Sequence, residues 1–133
     1  MANSDNRSLH HKRQCSRRLA LQALYQRQFN ELEPAELYKQ FEDDEFWPKS
    51  DHEYFQQLVA GSIEHIDTLD KHISDASDYP VDTIDPIELA ALRIAVYELI
   101  FCVHIPAKVL VSESIQLCKK FGSDDGYKLV NAV

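Results

Sequence analysis

The sequence predicts an all-α fold, with two small helical bundles packed into one compact domain. Apolar residues recur at steps of three and four along most of the chain, the period of a helix with one buried face. Helix punctuation stands where these stretches begin and end: Asp51, Asp85-Pro86, Pro106 and Gly122. No alternating run of strand length appears. With 44% hydrophobic residues and three glycines in 133 residues, the chain has the composition of a packed globular protein rather than a disordered one.

Residues 1–12 lack an apolar period and read as a mobile basic arm. The first helix is expected to begin around Arg13 to Ser16. Leu21, Leu24, Tyr25 and Leu32 form its stripe, with Ala20 and Ala23 as small packing residues. Pro34 closes this helix or opens the next, a short one over Ala35 to Glu42 carrying Leu37, Tyr38 and Phe41. The acidic run 42–45 and Trp47-Pro48 read as a loop. Asp51 is an N-cap for a long amphipathic helix whose face is Phe55, Leu58, Val59, Ile63, Ile66, Leu69 and Ile73. Gly61 inside it costs up to ~1 kcal/mol against Ala, so a close helix crossing is expected there.

Asp78-Tyr79-Pro80 breaks the pattern and marks the seam between an N-terminal subdomain, 13–78, and a C-terminal one, 79–133. Asp85-Pro86 pairs an N-cap with proline at the first helical position. From Ile87 to Val103 the chain is apolar except for Glu88, Arg93 and Glu98. A helix apolar nearly all round is buried on several sides, so this is the expected centre of the second half. Pro106 starts another helix, in which Leu110, Ser114, Leu117 and Phe121 share a face and which Gly122 ends. Ser123 caps a last short helix opening with Asp124-Asp125.

Charge is distributed unevenly. The first eighteen residues carry Arg7, Lys12, Arg13, Arg17 and Arg18 against Asp5, a local net of +4 in a chain of net −8. The mean field of the body repels nucleic acid, so any anionic partner must be gripped locally. A solvated basic tail accounts for the charge equally well. No apolar run nears the ~20 residues needed to span a bilayer, and residues 1–8 lack a signal-peptide core. Cys15, Cys102 and Cys118 are odd in number and widely spaced, as reduced thiols would be. A cytoplasmic location is expected.

Catalytic patterns are missing. Glycines stand only at 61, 122 and 126, so no phosphate-cradling loop can be written, and there is no nucleophile elbow. His10, His11 and Cys15 lack a nearby fourth ligand, and no metal or cofactor is expected. What remains is a set of cations near helix ends. Arg13 and Arg17 are one turn apart, with Gln22 and Tyr25 further along the same helix. Lys119 and Lys120 end the penultimate helix, and Lys128 follows. Arg with Gln and Tyr suits RNA, where cations hold phosphates and side chains stack on or bond exposed bases. The same lysines also complement a helix dipole, and Tyr25 also suits a core. The residues themselves leave open an RNA binder and a helical protein-interaction module without RNA binding.

Several blocks, in order and across nearly the whole chain, resemble the bacterial NusB family of transcription antitermination factors. They are Arg18-Leu19-Ala20-Leu21-Gln22-Ala23-Leu24-Tyr25, Leu58-Val59-Ala60-Gly61 and Leu92-Arg93-Ile94-Ala95-Val96-Tyr97-Glu98-Leu99. Ile105-Pro106, the run 112–122 and the run 128–133 complete the set. The resemblance implies an all-α, non-enzymatic protein that binds boxA-type single-stranded RNA. It implies NusE, a small-subunit ribosomal protein, as partner, and through that pair the other Nus factors and RNA polymerase. It implies RNA contacts at Arg13, Arg17, Gln22, Tyr25, Lys119, Asp125 and Lys128, and a NusE contact at Glu88. Gln14 and Cys15 stand where some members have further arginines, and Leu129 where an aromatic is common.

Overall fold

Among the described residues there are six α-helices and two 3₁₀ turns: α1 (Ala2–Arg27), α2 (Pro34–Phe41), α3 (His52–Glu64), α4 (Ile66–Ser77), α5 (Pro86–Phe101) and α6 (Ala107–Phe121), with turns at Trp47–Lys49 and Val81–Thr83. The structure, a computed structural model, describes residues 2–77 and 80–121, with side chains over 7–77, 80–117 and at 119. Among these residues there is no strand, and no helix is long and apolar enough to cross a membrane. Gly122, Ser123 and the helix expected from Asp124-Asp125 lie outside the described residues, as do Asp78 and Tyr79 of the seam.

The caps act as their chemistry dictates. The Asp51 carboxylate accepts the Tyr54 N–H at 3.1 Å and starts α3. The Asp85 carboxylate accepts from Ile87 and Glu88 N–H at 3.0 and 3.2 Å, and Pro86 fills the first turn of α5. Phe55 of α3 sits beneath Tyr38 and Phe41 of α2 and Trp47 of the first turn, with ring centroids 5.4–5.9 Å apart.

Two elements differ from expectation. The first helix starts at Ala2 rather than near Arg13, so residues 2–12 are its opening turns. Nothing in the fold demands an apolar stripe there. A helix already nucleated by packing downstream extends through Ala2, Arg7, Leu9 and Lys12, which favour it, and through Asn, Ser and His between them at a few tenths to about 0.7 kcal/mol each. The expected long helix after Asp51 is two helices, α3 and α4, parted at His65. Its apolar period runs through the junction unbroken, because His65 N–H still reaches Gly61 O and Leu69 N–H still reaches His65 O, each at 3.0 Å. Periodicity therefore does not report the bend.

α5 is buried over most of 88–98 and packs against α1, α3, α4 and α6, with Leu99 and Phe101 of its last turn exposed. It is the centre of the described fold and not of its second half alone. Gly61 of α3 lies directly under the Tyr97 ring of α5, the close crossing its sequence position suggests. Arg93 of α5 makes a forked pair with Asp70 of α4, at 2.8 and 2.9 Å. Deeper in the core, Arg17 of α1 donates to both oxygens of Glu98 of α5, with Nε at 2.9 and 3.1 Å and Nη2 at 2.9 Å. Tyr54 of α3 donates its hydroxyl to the same carboxylate. Arg17 is 3% exposed and Glu98 1%.

Replacing Gly61 by Ala drives a methyl into the Tyr97 ring, so a loss of about 1–3 kcal/mol is expected in urea unfolding. Arg17→Ala leaves the Glu98 charge buried without its cation and is expected to cost about 3–5 kcal/mol in the same assay. A stability close to that of the unaltered protein would show that the pair does not hold α1 to α5.

Candidate nucleic-acid interface

The N-terminal half of α1 presents the basic residues, and its fixed position sets where they point. Ser16 ties it to the start of α3: its hydroxyl accepts Asp51 N–H at 2.9 Å and lies 2.7 Å from Asp51 O. Gln14 ties it to α6, donating to both oxygens of Glu113 at 3.0 and 3.1 Å. His10 Nε2 lies 3.0 Å from the same carboxylate. Cys15 is buried beside His11, with Sγ 3.9 Å from the imidazole. Gln14 and Cys15 thus face a cleft of about 220 Å³ between α1 and α6.

The cations divide into two kinds. Arg13 is half-buried, its guanidinium 5.1 Å from the centre of the Tyr54 ring. Arg18 lies over Phe46 at 4.1 Å. Arg17, expected beside Arg13 as a surface cation, is instead turned into the core onto Glu98 and is not presented to solvent. A carboxylate inside an apolar helix is costly unless a cation pairs with it, and Arg17 is the cation within reach. Burial alone lowers the affinity of Arg17 for its proton. The Glu98 hydrogen bond and charge outweigh it and raise the pKa, so Arg17 keeps its charge. Burial, with the Glu98 charge and hydrogen bond added, pushes the Tyr54 hydroxyl far above its usual range, which keeps it a donor. Burial likewise raises the neighbouring Cys102 thiol. Glu98, the one charged residue between Ile94 and Val103, was the signal that could have revealed this site from the sequence.

Gln22 and Tyr25 lie about 14 and about 18 Å along α1 from Arg13 and are not brought together with it. They line an apolar groove of about 460 Å³ with Phe29, Phe41 and Ile87. Tyr25 and Phe29 are exposed and meet edge to face at 5.2 Å. Glu88 follows Ile87 in the first turn of α5 and is largely covered. Lys119 is exposed in the last turn of α6. Asp125 and Lys128 lie outside the described residues.

A further groove, of about 620 Å³, opens where the first turns of α1 pass the turn between α5 and α6. Arg7, His10 and Arg13 face His104 and Pro106 across it. The sequence reading missed Arg7 and His104, because one lay in a stretch read as an arm and the other in a turn. Among the described residues no group of three His, Cys, Asp or Glu side chains is arranged to hold a metal.

The NusB family model matches residues 14–133. A transcription antitermination protein NusB of Coxiella burnetii (strain Dugway 5J108-111) is 38% identical over 118 residues, covering 89% of this chain and 86% of the relative. The NusB of Idiomarina loihiensis is 40% identical over 121 residues, covering 91% and 87%. A crystal structure of antitermination factors NusB and NusE in complex with dsRNA contains a chain that superposes with a TM-score of 0.77 at 26% identity, covering 89% of each. Sequence and backbone agree over the same helices, and the chain belongs to the NusB family.

Proposed function

We propose that this chain is an RNA-binding transcription antitermination factor that acts with NusE on boxA RNA in the cytoplasm. In this reading the pair joins the other Nus factors on RNA polymerase and supports transcription of ribosomal RNA. The chain makes and breaks no bond; it holds one strand and one partner together. The observation that carries the reading is the cation-bearing first half of α1, fixed on a body of opposite charge, in a chain of this family. The related structure named above holds NusB with NusE and RNA.

Arg13 and Lys119 are the proposed phosphate contacts within the described residues, joined by Lys128 from the C-terminal segment, where Asp125 is a proposed RNA contact that can accept only from a base or ribose donor. Arg17 acts behind them. It fixes the helix that carries Arg13 and stiffens Tyr54, on which the Arg13 guanidinium lies. Glu88 and the groove beside Ile87 are the proposed NusE side, where an apolar face bordered by a carboxylate suits a partner with apolar and basic residues. Gln22 and Tyr25 lie at the edge between the two, where a strand held by Arg13 would pass toward NusE.

Fluorescence anisotropy with boxA and scrambled RNA, with and without NusE, tests the reading. The pair is expected to bind boxA more tightly than either protein alone, and RNA is then required to raise the NusB–NusE affinity by the same factor. Affinity should fall by ~0.7 log units per contacted phosphate for each tenfold rise in salt. Equal binding of the two RNAs in the presence of NusE would reduce the protein to a helical interaction module. Glu88→Lys places a like charge against a basic partner and should weaken NusE binding about tenfold or more in calorimetry. RNA binding by the isolated variant should be nearly unchanged, since the cations of α1 lie at the other end of that helix. Normal NusE affinity would move the interface elsewhere.

A further inference from the structure

We propose that the pocket between the end of α1, the α3–α4 bend, the second 3₁₀ turn and α5 binds a free amino acid with an apolar side chain. The proposal stands apart from the RNA-binding reading and uses none of its residues. Leu24 of α1, Ile63 and Ile66 on either side of the bend, Val81 of the turn and Leu89 of α5 give the pocket a branched aliphatic lining. Arg27, Glu31, Asp82 and Arg93 add charge of both signs. The volume, about 310 Å³, lies at the small end of ligand sites.

These charges are available to a ligand. Arg27 is half-buried and fixed through Nε, which donates to Leu32 O at 3.2 Å, while its two terminal nitrogens have no hydrogen-bond partner among the described residues. Arg93 commits Nε and Nη2 to Asp70, at 2.8 and 2.9 Å, which leaves Nη1. Glu31 and Asp82 are exposed, and among the described residues their carboxylates make no ion pair or hydrogen bond. A purely anionic ligand would meet Glu31 and Asp82, and a purely cationic one would meet Arg27. A zwitterion offers each charge its opposite, carboxylate to guanidinium and ammonium to carboxylate, and its side chain takes the aliphatic lining. Exposed ion pairs add little affinity, so the apolar side chain supplies most of it and the charges select the ligand.

Helical spacing builds the walls. Leu24 stands three and four positions before Arg27 and Gln28, so all three share a face of α1 or its end, and Leu89 and Arg93 are four apart on α5. Gln28, also in the lining, donates to Pro86 O at 2.7 Å and joins the end of α1 to the start of α5. A bound amino acid would touch all four parts of the chain.

Methyl-resolved NMR of the full chain, titrated with leucine to about 10 mM, provides the test, since a ligand this small is expected to bind with a Kd of about 1 mM. Leucine should shift the methyls of Ile63, Ile66, Val81 and Leu89 and leave those of Val109 and Ile115 on α6 in place. Glycine, leucinamide and N-acetylleucine lack the side chain, the carboxylate and the ammonium in turn, and each should bind about tenfold more weakly. Glu31→Gln combined with Asp82→Asn should weaken leucine about fivefold and strengthen N-acetylleucine, because the ammonium loses its partners and the anion loses its repulsion. Arg27→Gln should do the opposite to the analogues, weakening N-acetylleucine and strengthening leucinamide. Arg27 also supports Leu32, so urea midpoints accompany each variant, and the exposed acid pair decides the question if Arg27→Gln unfolds. No methyl shift at about 10 mM, equal shifts with glycine and leucine, or shifts centred on the groove beside Tyr25 would overturn the proposal. So would unchanged leucine binding by the folded Glu31/Asp82 variant. If leucine does not bind and that variant weakens NusE binding, the pocket belongs to a protein partner and the proposal falls, while the RNA-binding reading is untouched.

Discussion

The ion pair between Arg17 and Glu98, closed by Tyr54, joins three helices at one buried point. Each group is there because of the other two. A carboxylate in the middle of an apolar helix needs a cation, the cation needs the carboxylate to stay charged away from water, and the hydroxyl takes up remaining acceptor capacity. A polar contact of this kind is a poor source of net stability against an apolar alternative. Its geometry is directional, however, and a forked pair permits little sliding or rotation of α1 on α5. Apolar packing between the same helices would tolerate other rotations at modest cost. The register of the basic helix is therefore set by charge more than by shape.

That register decides how the positive charge is divided. Two arginines one turn apart serve opposite purposes, Arg17 inside and Arg13 at the boundary, with the Tyr54 ring in contact with both. Arg18 is held over Phe46 on another side of the helix. A stack on an aromatic ring restricts a guanidinium without neutralising it, so Arg13 is preorganised for an anion while its charge remains available. On an acidic chain this is an economical way to make a local site, since the surrounding field rejects anions that do not fit it.

The surface proposed for the partner is built differently. Near the far end of α1 the surface becomes apolar, with Tyr25 and Phe29 exposed beside Ile87, and the neighbouring carboxylate is Glu88 in the first turn of α5. One continuous helix, α1, thus runs from the cationic region to Gln22 and Tyr25 at the border of the apolar groove, whose acidic edge is supplied by α5. A rigid helix separating two binding regions by a fixed distance is a simple means of placing an RNA strand and a protein side by side.

Helix existence was legible in the sequence, and so were most starts: Asp51, Pro34 and Asp85-Pro86 act locally, through hydrogen bonds and ring constraints that need no tertiary partner. The burial of α5 was legible from its composition, and Gly61 announced its close crossing. The family was legible from blocks spread along the chain. The bend at His65 was not, because a helical period survives a bend that keeps its hydrogen bonds. Nor was the helical state of residues 2–12, since no apolar stripe marks that stretch in the sequence. Above all, the sequence shows which residues are charged but not which charges meet. Arg13 and Arg17 are indistinguishable as letters four apart. They are separated by the approach of Glu98, eighty-one positions away, because electrostatic pairing depends on distance in space and on burial, and both arise only when the helices have packed.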